Sequence, residues 1–203
     1  MLFVLLTFFK YNIYINSQKR KDKMYKTIDI DKNLIVSAIN HSKDRMNYEY
    51  NRFNQNNTFR LNMILIGTLG ELVFKKYLEG NNQAYEMEFQ AGKFDSFDFI
   101  INNKIIEIKT SGYDKDGFEH LNLLYNSNQY QQSQNKGYDY VVLIFINGFN
   151  RDTQSLDINA VNRATIIGYI PFDAIKNYPP TRNRYYSNHK VALNNLRDLD
   201  EIL

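Results

Sequence analysis

Three stretches of the chain alternate apolar and polar residues with a period of two. "AYEMEFQ" (84–90) is one, and the two halves of "FDSFDFIINNKIIEIKTSG" (94–112), on either side of Asn102-Asn103, are the others. That period predicts strands, because successive side chains of a strand point to opposite faces. Upstream the apolar spacing is three and four instead. Asp31 offers a side-chain acceptor suited to a helix N-cap, and Ile35, Ala38, Ile39, Met46, Tyr50 and Phe53 follow it as one stripe. The polar run "NQNNT" ends that helix, and Asn57 or Thr58 supplies the next cap. A second helix is expected over about 59–79, with Phe59, Met63, Ile66, Gly70, Phe74 and Tyr77 on one side and Gly80 as its stop.

The second half reads less regularly. Asp116-Gly117 marks a turn, "FEHLNLLY" is a strand or extended segment, and 127–136 is a short helix ending at Gly137. "DYVVLIFIN" is apolar without alternation, as expected of a strand covered on both faces. "ATIIGYIP" predicts a last strand closed by Pro171. "KVALNNLRDLDEIL" predicts a C-terminal helix that turns Val191, Leu193, Leu196, Leu199 and Ile202 partly inward.

Composition narrows the class. With 203 residues, 43% hydrophobic and 15% aromatic, the chain has material for one sizeable core. The absence of cysteine excludes disulfides and thiolate zinc sites, and it fits a reducing compartment. His41, His120 and His189 lie too far apart for a zinc motif. Heavy use of Asn, Ile, Lys, Tyr and Phe follows AT-rich coding, which bears on origin and not on chemistry. The net charge is +3, but residues 1–23 contribute +4 of it, leaving −1 for the rest. A nucleic-acid partner would therefore have to be met by a local basic face.

The apolar start "MLFVLLTFF" is too short to span a bilayer and has no charged residue before it. Translated sequence upstream of a start at Met24 is the preferred reading. An extra strand, an organellar targeting segment and a signal or anchor are the alternatives. The expected organisation is an extension over 1–23 followed by a single domain over 24–203. The expected location is intracellular, in the cytoplasm, a plastid or a mitochondrion, without secretion and without a membrane partner.

The candidate chemistry sits in the hairpin. With Asn102-Asn103 as a two-residue turn, Ile101 faces Lys104 and Asp98 falls opposite Glu107. Lys109, two residues beyond Glu107, projects from the same face. Opposed carboxylates about 5 Å apart repel by roughly 3 kcal/mol at an effective dielectric near 20. A magnesium ion between them would turn that repulsion into binding. An exposed edge with the two acids turned apart satisfies the same pattern. Glu71 lies in the second helix beside Gly70 and one turn after Gly67. Each glycine costs a helix about 1 kcal/mol against alanine, and close packing on a sheet would account for them. Glu71 would then be carried toward the sheet. A solvent-facing position is the alternative.

Helix glutamate, strand, Asp98, hairpin, Glu107-Ile108-Lys109, glutamine-rich helix and buried strand occur in the order of the PD-(D/E)XK nuclease superfamily, which this chain resembles over 58–147 and toward 175. Phe97 stands where the motif carries proline. Asp95, an odd number of residues from Asp98, falls on the other face. The resemblance implies an α/β fold with a restriction endonuclease-like core. A central mixed β-sheet is flanked by helices in the order α-β-β-β-α-β, with an extra N-terminal helix. It implies magnesium-dependent hydrolysis of DNA phosphodiesters, with manganese able to substitute. Asp98 and Glu107 would be metal ligands, with the Ile108 carbonyl as a further one. Lys109 would orient or help deprotonate the attacking water. Glu71 would hold a metal-bound water or a second ion. Gln129 and Gln132, three apart in "SNQYQQSQNKG", would touch substrate, although a solvated helix explains them as well. Arg182, Arg184 and Lys190 can meet phosphates or lie in a solvated loop. Cutting both strands of a duplex calls for two active sites, hence a homodimer. A binding module on a nuclease-like fold, without catalysis, is the competing class.

Overall fold

The first described element is a strand that the apolar pattern did not announce. In the computed structural model, which describes residues 25–47, 56–88, 97–182 and 187–203, β1 (Lys26–Asp29) pairs antiparallel with a strand far downstream. Four residues are too few for alternation to stand out. Helix α1 (Lys32–Met46) follows, and Asp31 caps it by accepting from the Leu34 N–H at 2.9 Å. Helix α2 (Asn57–Gly80) starts two residues earlier than expected, because Asn56, not Asn57 or Thr58, is the side chain that accepts from the Phe59 N–H, at 2.8 Å. Gly80 ends α2 without a left-handed turn. The positive φ falls at Asn82 instead, at 54°. Tyr50, Phe53, Asp95, Arg184 and residues 1–24 lie outside the described residues.

The strands that follow are β2 (Glu86–Met87), β3 (Phe99–Ile101), β4 (Lys104–Gly112) and β5 (Asn122–Asn126). Helix α3 (Ser127–Ser133) is capped by Asn126 and continues as a 3-10 turn to Lys136, where Gly137 takes φ 72°. Then come β6 (Tyr140–Ile146), the short pair β7 (Phe149–Asn150) and β8 (Ser155–Leu156), and β9 (Arg163–Pro171). The last strands are β10 (Thr181–Arg182) and β11 (Ser187–Ala192).

Six strands form the main sheet in the order β1-β9-β6-β4-β3-β2. Only β4 and β6 run parallel, so the sheet is mixed and the fold is α/β. From α2 to β6 the elements run as expected, except that β5 is inserted before α3. It belongs to a second sheet, β10-β11-β5.

Strand β6 shows why its sequence lacks alternation. Val142, Ile144 and Ile146 pack with Leu65, Leu69 and Val73 of α2, while Val141, Leu143 and Phe145 pack with Tyr125, Phe172 and Val191 on the other face. A strand buried on both sides has no position for a polar residue.

The expected C-terminal helix is not formed. His189, Val191 and Leu193 are buried with a period of two, and β11 pairs with β5. Only short 3-10 turns follow, at Leu193–Asn195 and Leu199–Glu201. Burial against Tyr125 and Phe172 overrides the local helical spacing. Nor is β9 the last strand, since β10 and β11 follow it.

Candidate active site

The hairpin forms in the expected register. Phe99 faces Ile106, Ile100 faces Ile105 and Ile101 faces Lys104. Asn102 and Asn103 take φ of 50° and 60°, the left-handed pair that a two-residue turn of this twist requires. Phe99 and Ile106 are fully buried on the α2 side, so Glu107, the next residue of β4, belongs to the opposite one. The paired register ends at Phe99 and Ile106, and Asp98, one residue before β3, feels the charge of Glu71 on α2 more than that of Glu107.

Asp98 stands one residue before β3 and closes the ladder with its side chain: Oδ2 accepts from the Ile108 N–H at 2.6 Å. Burial pushes the Asp98 carboxyl up to about 8. The negative charge of Glu71 adds to this, and that of Glu107 adds less, while the Ile108 N–H and Lys109 pull the other way. An acid so placed keeps its proton at neutral pH unless a cation arrives.

Glu107 is 7% exposed, and both of its oxygens are engaged. The Lys109 ammonium lies 2.5 Å from Oε1, and the Tyr125 hydroxyl donates to Oε2. Tyr125 is wholly buried, with Ser133 Oγ 3.4 Å from its hydroxyl, and the Lys109 ammonium sits 4.5 Å from the centre of its ring. Burial, reinforced by the charge of Glu107, holds the phenol far above its ordinary value, so it remains a donor. Tyr125 thus positions both charged side chains. The sequence reading missed it; its one trace is the alternation with Leu123 along β5.

Glu71 is 9% exposed and is held by a fork: Arg45 of α1 donates to its two oxygens at 2.9 and 2.8 Å. Its partner is contributed by the extra helix, which the local pattern could not reveal. The glycine argument holds at Gly70 alone. A Cβ there would stand 1.8 Å from Thr110 Oγ1 of β4, whereas one at Gly67 would meet nothing within 4 Å.

Helix α3 turns Tyr130 and Ser133 inward. Gln132 is exposed and Gln129 half-buried, and neither side chain is hydrogen-bonded to the acidic cluster. Beyond Lys109 a cleft of about 430 Å³ opens toward Arg182 and Lys190, and Arg151 joins them there.

Among the described residues, no group of three or more His, Asp and Glu side chains could hold a metal ion. Asp98 and Glu107 still suit a hard cation. They are oxygen donors, Asp98 keeps an oxygen clear of the Ile108 bond, and two acidic neighbours oppose its ionisation. Magnesium takes few protein ligands and keeps its waters.

Fold and site together define a mixed α/β protein with a carboxylate–lysine centre beside a hairpin. Comparison with models of protein families, with curated proteins and with solved structures finds no match for this chain. No helix among the described residues is long and apolar enough to cross a membrane.

Proposed function

We propose that this protein is a metal-dependent DNA endonuclease that hydrolyses phosphodiester bonds at Asp98, Glu107 and Lys109, with Glu71 in support. The observation that carries the reading is the convergence of the hairpin's charges. Asp98 is pinned to the Ile108 N–H beside Glu107, and Glu107 lies 2.5 Å from an ammonium that also borders a basic cleft. Asp98 and Glu107 are the residues to hold magnesium, or manganese in its place. The bound ion supplies a Lewis acid and a water of lowered pKa.

The chain's own residues do the rest. Asp98 sheds its proton to become a ligand, so metal affinity rises with pH. Lys109 donates to a phosphate oxygen and stabilises the charge that grows there. Tyr125 keeps Glu107 and Lys109 oriented while it excludes water beneath them. Gln129, half-buried at the start of α3, and Gln132 on its exposed side remain candidates for contact with DNA. A homodimer is the form expected to cut both strands.

A second reading, a nucleic-acid- or protein-binding module without catalysis, draws on the neutralised acids: Arg45 satisfies Glu71, and Tyr125 with Lys109 satisfies Glu107. Cleavage of supercoiled plasmid and of branched DNA separates the two. With magnesium or manganese, the wild type is expected to cut, and Glu107→Ala and Lys109→Ala to fail. Cutting that survives both substitutions places the activity elsewhere. No cutting in any lane, with no heat of magnesium binding in titration calorimetry, leaves the binding module.

A further inference from the structure

The cleft that begins at Lys109 is sorted by charge. Among the described residues its ionisable lining consists of Lys109, His120, Arg151, Arg182 and Lys190, without one carboxylate. Residues 24–203 carry a net charge of only −1, so this is segregation and not a surplus of bases. These residues come from separate elements: β4, the approach to β5, the β7–β8 turn, β10 and β11.

Between the cations the lining is not uniformly polar. Leu121 and Leu124 border the cleft, and Leu124 is 51% exposed although it sits in a paired strand. Lys190 is its cross-strand partner. Asn122 and Asn188 contribute side-chain amides, and Asn188 pairs with Thr181 of β10. Basic side chains, an open leucine and two asparagines therefore share one cavity of about 430 Å³, a volume that holds a ligand of nucleotide size.

A paired duplex is a poor match for that surface. It presents phosphates outward and keeps its base faces stacked inside, so leucines and amides set between the bases would meet nothing. An unpaired nucleotide offers all three chemistries at once: a phosphate, an apolar base face and a hydrogen-bonding edge. We infer that the cleft seats an unpaired nucleotide of a single polynucleotide strand, its phosphates on Arg182, Lys190 and Arg151, its base against Leu124 and its edge toward Asn122 and Asn188. Lys109 would then receive the next phosphate, and only this continuation rests on the proposed phosphodiester chemistry.

The test is fluorescence anisotropy in EDTA, so that no strand is cut. The probes are a short fluorescein-labelled oligothymidylate and a hairpin duplex of the same length, with thymidine monophosphate as competitor. The strand is expected to bind roughly tenfold tighter than the duplex, and Leu124→Asp to remove that margin. Arg182→Ala with Lys190→Ala should lower the slope of log affinity against log salt by about 0.7 for each charge removed. Wild-type melting temperatures in the exposed variants establish that the fold is intact, and the charge pair tests the cleft independently of Leu124. Equal binding of duplex and strand, or folded variants that bind as the wild type does, overturns the inference. Thymidine monophosphate binding as tightly as the strand overturns it in favour of a mononucleotide site. Strand binding without cleavage in any metal keeps the inference and discards the nuclease reading. Metal-dependent cutting without strand preference does the reverse.

Discussion

Gly70 is where helix α2 touches the strand that carries Glu107 and Lys109, and the two glycines of that helix make a matched pair of perturbations. A Cβ at Gly70 would lie 1.8 Å from Thr110 Oγ1 and 2.8 Å from both Thr110 Cβ and Cγ2. Rotating Thr110 cannot clear it, because the Thr110 Cβ is fixed by the backbone of β4. Forcing a methyl group into a filled site typically costs about 1–3 kcal/mol, the close approach here puts it at the upper end, and alanine returns about 1 kcal/mol of helix propensity. Gly70→Ala is therefore expected to destabilise the fold by about 2 kcal/mol. At Gly67 a Cβ meets nothing, so only the propensity acts, and Gly67→Ala should stabilise by about 1 kcal/mol. For a chain of this size these shifts correspond to a melting temperature lower by about 4–8 °C and higher by about 2–4 °C. Differential scanning calorimetry in EDTA reads both. Thr110→Ala removes two of the three clashing atoms, and in the double variant with Gly70→Ala it should recover more than half of the loss. Gly70→Ala as stable as Gly67→Ala would show that α2 does not lie where we place it. The position of Glu71 beside Asp98 would fall with it.

Two further outcomes follow from the acidic cluster. Burial raises the Asp98 carboxyl to about 8, above the unfolded value near 4, so the folded chain holds the extra proton between those values. The stability this group contributes is complete below about pH 4 and is lost as pH rises through 8, with a slope of up to about 1.4 kcal/mol per pH unit. Asp98→Asn copies the protonated form, so in EDTA its urea midpoint should overtake that of the wild type as pH rises from about 5 to about 8.5. A gap that stays constant with pH would exclude the raised carboxyl. Arg45→Ala removes the two-bonded fork from Glu71, whose side chain is 12% exposed, and breaking a buried pair of this kind costs about 3–5 kcal/mol. Urea denaturation should show most of that loss restored in Arg45→Ala with Glu71→Ala, and a near-neutral single variant would contradict the fork.

Local rules were enough wherever a residue's role is decided within a few positions of it. The Asn102-Asn103 turn and the register it sets between Phe99 and Ile106 follow from periods of two and from backbone preference, the Asp31 cap from its side-chain acceptor, and the double burial of β6 from an apolar run without alternation. Those features need no distant partner. The sequence by itself also determined that Glu107 and Lys109 would share a face, because they lie two apart in one strand.

Tertiary structure decided whatever depends on a partner remote in the chain. Arg45 and Glu71 are 26 residues apart, and Tyr125 reaches Glu107 across 18. No spacing rule joins them. The C-terminal segment carried a helical spacing and became β11 because β5 offered an unpaired edge and a buried face, a gain larger than any local preference. The basic cleft is assembled from several separate segments and so was visible beforehand only as scattered charges around Arg182 and Lys190. Charges far apart in sequence acquire a common field only when folding brings them within a few ångströms of one another, and the chain's composition has no means of recording that distance.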